Sequence, residues 1–163
     1  MTRQMVKDEV QAPTRELVRD EMYERDQIQL KKNNLMILNL EEPTQRQGEE
    51  EDIRRINEII STKLNLTITI NNAKRLGTYN TEKPRPVRVT LDRIDIKKQI
   101  LQKAVTLRQL NEDDEYALVY IRPDLTKKQL EASKNLYTEL RKKREEHPTQ
   151  TWKIFKGEII EVE

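Results

Sequence analysis

The pattern of apolar segments predicts an α+β fold: a βαββαβ sandwich, followed by a small helix–hairpin carboxy-terminal domain and preceded by a short amino-terminal helix. Three observations carry that expectation. Asn34–Leu40 reads NLMILNL, an apolar run without charge, Gly or Pro, as in a short buried strand. Arg85–Leu91 reads RPVRVTL, in which Val87, Val89 and Leu91 alternate with Arg88 and Thr90, the period of a half-buried strand. One helical segment with its own strand lies between the two, and a second helix and strand follow. That order is a split βαβ sheet with its helices on one face.

Composition narrows the classes. With 34% apolar and 37% charged residues in a chain of 163, the core must be small and the exposed surface large, enough for one domain with appendages. The net charge of +2 selects no partner, but its distribution is uneven. Lys74–Arg108 holds ten Lys or Arg against three acids, and Glu41–Asp52 holds six acids and one base. Such runs serve as solvated faces as readily as binding surfaces. The absence of cysteine excludes disulfides and thiolate metal sites and fits a reducing compartment. No apolar run approaches the roughly 18 residues of a membrane span, and no signal-peptide core is present, so a soluble protein is expected.

Each element has a local reason. In residues 1–33, seven bases balance seven acids; Pro13 is expected to break a helix there, and Thr14 to cap a new one running toward Lys32. Its apolar positions (Leu17, Val18, Met22, Ile28, Leu30) make no firm heptad stripe. The segment is either a frayed arm or the last turns of a coiled coil, and its end at Asn33–Asn34, where the first strand begins, favours the coiled coil. Glu41–Gly48 reads as a loop, after which Glu49–Asp52 opens a helix whose amino end favours acids. Ile53, Ile56, Ile59 or Ile60, and Leu64 recur at helical steps. The β-branched run Thr67–Ile70 predicts a second strand continuing to Leu76, and Gly77–Pro84 a polar turn. Asp92 or Asp95 is the expected cap of a second helix with Ile96, Ile100, Leu101 and Ala104 inward. Asn111–Glu115 then reads as a turn and Ala117–Arg122 as a fourth strand.

Beyond residue 123, Thr126-Lys127-Lys128-Gln129 has the form of a capping box. The helix it opens is expected to place Leu130, Ser133, Tyr137 and Leu140 on one face and Lys127, Lys134 and Arg141 on another. Trp152–Phe155 and Glu158–Val162 read as a hairpin turning at Lys156-Gly157. The expected domains are therefore 1–33, 34–123 and 124–163.

Catalysis has little to stand on, and the chain is not expected to be an enzyme. Its single histidine, His147, sits among charges at a helix end, without a Cys or second His for a nucleophile–base pair or a transition-metal site. Asn111–Glu115 lacks calcium-loop spacing, and three glycines leave no phosphate-cradling loop, so no cofactor or metal is expected.

Nucleic-acid binding fits better. LMILNL (Leu35–Leu40) resembles the first-strand motif of RNA-recognition modules (RRM-like domains), with Leu35, Ile37, Asn39 and Leu40 in place and Met36 where a stacking ring stands. Inward Val87, Val89 and Leu91 put Pro86 and Arg88 in the two further aromatic positions, so the usual stacking platform is missing. Met36 is left to pack against a base, and Arg88 to stack by its guanidinium plane or pair with phosphate. Tyr120 and Trp152 are read as core residues.

A wider resemblance emerges from ordered segments. NNLMILNLEEP, NAKRLG (Asn72–Gly77), KPRPVRV (Lys83–Val89), IRPDLTKKQ (Ile121–Gln129) and WKIFKGEI (Trp152–Ile159) together resemble the first-open-reading-frame protein of LINE-type retrotransposons, over roughly residues 14–163. The resemblance implies an RRM-like domain and a carboxy-terminal domain behind a trimerising coiled coil, of which only the last turns lie in these residues. It implies largely sequence-independent binding of single-stranded RNA or DNA, nucleic-acid chaperone activity and packaging of the element's transcript. It also implies a homotrimer through the upstream coiled coil, no membrane partner, and residence in cytoplasmic ribonucleoprotein particles, with the nucleus as a second location. By position, Arg75 and Arg88 fall on or beside the sheet, and Arg122 opens the link to the second domain. Lys127, Lys134 and Arg141 face the same basic cleft, and Met36 lies on the first strand. The competing expectation is an RRM-like protein–protein interaction or oligomerisation module that binds no RNA.

Overall fold

A computed structural model describes residues 2–43 and 48–162, with side chains described from residue 14 onward. The expected Glu41–Gly48 loop therefore lies partly outside the described residues. Among the described residues the fold is α+β, with four α-helices, a four-stranded antiparallel sheet and a two-stranded hairpin. The chain divides into two compact units, residues 25–124 and residues 1–24 with 125–163.

In the unit of residues 25–124, β1 (Asn34–Leu38), β2 (Lys74–Arg75), β3 (Val87–Thr90) and β4 (Tyr120–Pro123) form a sheet in the order β2-β3-β1-β4. β1 is central, pairing Leu35 with Val89 and Pro123, and Ile37 with Val87 and Ile121. Strand alternation sends Leu35, Ile37, Val87, Val89 and Ile121 to one face. There they form one core with Ile56, Ile59 and Ile60 of the first buried helix and Ile100 of the second. Each buried branched side chain contributes about 1.5–3 kcal/mol, so this face holds the unit together.

α2 (Gly48–Glu58) starts with Glu49, Glu50 and Glu51 in its first turn, as the acidic run predicts. It passes into a π-helical turn at Ile59–Lys63, where Leu64 N–H reaches the Ile59 carbonyl at 3.0 Å. The wider turn allows Ile59 and Ile60 both to be buried, where a regular helix favours one of them. α3 (Ile94–Ala104) buries the expected face, but its N-cap is Arg93, with no side-chain cap. Asp95 lies within the first turn and pairs with Arg93, so neither Asp92 nor Asp95 caps this helix.

The second strand is shorter than its β-branched run predicts. Thr67–Ile70 joins no ladder, because Asn57 supplies its partners: Asn57 Oδ1 accepts from Ile70 N–H at 2.8 Å and Asn57 Nδ2 donates to Ile70 O at 3.1 Å. Asn72 clamps Thr90 in the same way, at 2.8 Å in each direction. Only Lys74–Arg75 pairs with β3. β1 stops at Leu38 because Asn39 turns left-handed (φ 64°).

α1 (Thr2–Lys31) runs through Pro13 without ending, contrary to the expected break. A proline removes one bond of the helical ladder at a cost of about 3 kcal/mol, which ends a short helix more readily than a long one. In the unit of residues 1–24 and 125–163, α4 (Lys127–Glu146) packs against β5 (Thr151–Phe155) and β6 (Glu158–Val162). The capping box is formed: Thr126 Oγ1 accepts from Gln129 N–H at 3.1 Å, and Gln129 Oε1 accepts from Thr126 N–H at 3.0 Å. Lys156 (φ 50°) and Gly157 (φ 77°) make the two-residue turn, both in the left-handed region such a turn requires. The inward stripe of α4 differs from the expected one, with Leu136 replacing Tyr137, which is 59% exposed.

Candidate nucleic-acid interface

The sheet's second face, away from α2 and α3, holds the residues left over by the core alternation. Cross-strand pairing places Lys74 opposite Arg88, Arg88 opposite Met36, and Met36 opposite Arg122. One line thus crosses all four strands: three cations and a thioether. With adjacent strands about 4.8 Å apart, it spans roughly 14 Å. Lys74 is exposed, and Arg88 and Arg122 are half-buried. Among the described residues, neither Lys74 nor Arg88 makes a side-chain hydrogen bond or ion pair, and Arg122 spends one donor on the Pro123 carbonyl at 3.2 Å. Such cations retain donors for an incoming anion.

Met36 is 4% exposed between its two arginine neighbours, so it floors the row instead of offering a surface to a base. Directly opposed side chains sit about 5 Å apart, which lets long arginine stems pack along a methionine.

Arg75 is corrected outright. It follows Lys74 on β2, and the pleat turns it to the other side, where its side chain is 9% exposed. Its five N–H donors are all engaged. Nε and Nη2 grip Asp52 at 2.9 and 2.7 Å, Nη2 also reaches the Glu41 carbonyl at 3.0 Å, and Nη1 donates to the carbonyls of Leu40 and Arg85 at 2.8 and 2.6 Å. Asp52 is itself buried, and Glu42 joins the network through Arg85 at 2.6 Å. No donor remains for phosphate, and Arg75 is a structural residue.

In the other unit, Lys127, Lys134 and Arg141 are all exposed along α4. Lys127 and Lys134 line a shallow groove with Leu130, Glu131 and Asn135, so one acid stands among the bases. Thr126, besides capping α4, donates its hydroxyl to Glu24. Lys153 and Lys156 lie over the two-sided ring of Phe155 at 5.5 and 5.4 Å from its centroid. Trp152 packs under Lys143 at 5.1 Å, while His147 caps the end of α4 and is exposed.

Tyr120 was expected in the core and is not there. Val119 and Ile121 are buried, and Tyr120, between them, is 42% exposed on the same face as Arg122. The signal was available: an apolar–Tyr–apolar–Arg alternation puts the tyrosine with the arginine.

Among the described residues, no group of three His, Cys, Asp or Glu side chains is placed to hold a metal ion, and no helix is long and apolar enough to cross a membrane. A scan against protein-family models finds no match to this chain, and a search of curated proteins finds none either.

Proposed function

We propose that this protein binds single-stranded nucleic acid, RNA in the first place, chiefly through phosphate contacts, and acts as the binding and chaperone protein of a LINE-type retrotransposon. The observation that carries the reading is the row Lys74–Arg88–Met36–Arg122, three cations aligned across one sheet face with their donors largely unspent. Cations that grip a flexible backbone leave most base edges unread, which suits a packaging protein.

The assignment of residues 34–123 as an RRM-like domain is supported by the strand order β4-β1-β3-β2 and by the core shared between α2, α3 and one sheet face. Residues 124–163 form the carboxy-terminal domain in this reading, and α4 carries Lys127, Lys134 and Arg141 as exposed cations of its own. Residues 1–33 are read as the end of a trimerising coiled coil. In support, Leu17, Met22, Tyr23 and Leu30 of α1 are all exposed, as unpartnered coil positions are. Trimers raise avidity along one strand. The protein works without catalysis in ribonucleoprotein particles.

The test is fluorescence anisotropy of a labelled single strand of about 30 nucleotides across a salt series. The logarithm of the binding constant should fall linearly with the logarithm of salt, and Arg122→Ala should reduce that slope by about one. Absence of binding at low salt, even with the chain fused to a trimerising coil, would sink the reading in favour of a protein partner.

A further inference from the structure

We propose that Tyr120, on β4, is the base-stacking residue of this surface, in place of the first- and third-strand positions occupied by Met36, Pro86 and Arg88. The inference rests on the single-strand reading above and deepens it.

The two ends of the sheet face differ. At the Asn34 end the polar groups satisfy one another. Asn34 Nδ2 donates to Asp124 at 3.0 Å, Thr90 Oγ1 donates to Asn34 Oδ1 at 2.8 Å, and Lys31 lies 3.9 Å from Asp124. That end is closed by its own network. At the other end Tyr120 stands opposite the half-buried Leu38, two residues before Arg122 on the same side. Leu118, just upstream, is 80% exposed. Tyr120 and Leu38 thus set an aromatic ring beside an apolar side chain at the end of the cationic row.

The ring's position is built in. Asn39 ends β1 in the left-handed region and donates its amide to the Leu118 carbonyl at 3.1 Å, pinning the chain just before β4. Val119 and Ile121 anchor in the core on either side of Tyr120. The ring is therefore held outward by both neighbours.

A nucleotide is the occupant whose chemistry fits. It offers a flat ring to Tyr120 and Leu38 and an anionic phosphate to Arg122 and Arg88 from the same small group. A folded protein partner would meet Tyr120 and Leu38 but would need an acid placed over the row. Two of the other exposed aromatics are already engaged, Phe155 by two ammonium groups and Tyr79 by Arg85, and Tyr23 and Tyr137 lie on α1 and α4, off the sheet.

The experiment compares a labelled oligouridylate with an abasic strand of the same length, using the full chain, Tyr120→Ala, Tyr120→Phe and Arg88→Ala. Tyr120→Ala should weaken the base-bearing strand about tenfold and the abasic strand by less than about twofold, while Tyr120→Phe stays near wild type on both. The salt slope should not change in either tyrosine variant, because no phosphate contact is removed. Photocrosslinking of an iodouridine strand to the unmutated protein should place the adduct on Tyr120. Tyr120→Ala binding like wild type while Arg88→Ala loses affinity would overturn the stacking role and leave the phosphate reading standing. A crosslink confined to Phe155 or Tyr137 would overturn it as well. Failure of the unmutated chain to bind either strand would remove both readings.

Discussion

Lys74 and Arg75 are neighbours in sequence with opposite fates. Lys74 faces outward at the edge of a cationic row, and Arg75 faces inward with every donor bonded. The two sides of one short strand thus separate two uses of positive charge. On one side it is matched to Asp52 and three carbonyls, and on the other its donors are largely unspent. A cation's value for binding lies in its unspent donors, not in its presence near the sheet. Arg88 and Arg122 fall with Lys74, and Arg85, paired with Glu42, falls with Arg75.

The largest effect should come from breaking the inward side. Asp52→Ala leaves the buried Arg75 guanidinium with only Glu42, 4.0 Å away, as an anion, and should cost about 3 kcal/mol in urea unfolding. A loss much smaller than that would mean that Glu42 and the three carbonyls suffice to hold Arg75, and the contrast with the outer row would narrow. Arg88→Ala should behave oppositely. Stability should fall by no more than about 1 kcal/mol, from the stem packed over Met36, while single-strand affinity drops severalfold and the salt slope falls by about one. If Arg88→Ala destabilised the fold and left the slope alone, the two sides of the sheet would not differ in kind.

The smallest effect belongs to the exposed pairs of α2, where charge is paired but not enclosed. Arg54 bridges Glu51 at 2.6 Å and Glu58 at 3.4 Å from a largely solvated position. Its hydrogen bond is the main cause holding the Glu51 carboxyl down to about 2 from an ordinary 4.5. Because the folded state favours the ionised form, the contribution is present above pH 4.5 and is lost as pH falls toward 2. Asp114 is lowered in the same direction by Lys63, 2.7 Å away, so both contribute to the acid limb. Arg54→Ala should flatten that limb slightly in an acid titration of stability and lower neutral-pH stability in urea by the same small amount, because the pair is solvated.

Much of the local structure was legible in the sequence. The stripe of α2, the inward face of α3, the Thr126–Gln129 cap and the Lys156-Gly157 turn all depend on residues a few positions apart. Misreadings arose where a distant group intervened. Thr67–Ile70 has strand propensity, yet Asn57 takes the Ile70 backbone bonds that a ladder would need. Tyr137 and Leu136 are both plausible inward residues of α4, and the choice fell to packing against β5 and β6. For the candidate interface, Arg88, Arg122 and the α4 bases lie exposed or half-exposed, Met36 and Arg75 are enclosed, and Tyr120 was assigned to the wrong side.

By itself, the sequence determined periodicity, caps and turns, because those follow from backbone geometry over one or two turns or a pleat. Only the tertiary structure decided which cations are spent. Arg75 is enclosed by an acid 23 residues away and by carbonyls from the end of β1 and the start of β3, groups that no local pattern connects. Lys74, one residue earlier, escaped because the pleat turned it to a face where the nearest partners in register are an arginine and, beyond it, a methionine.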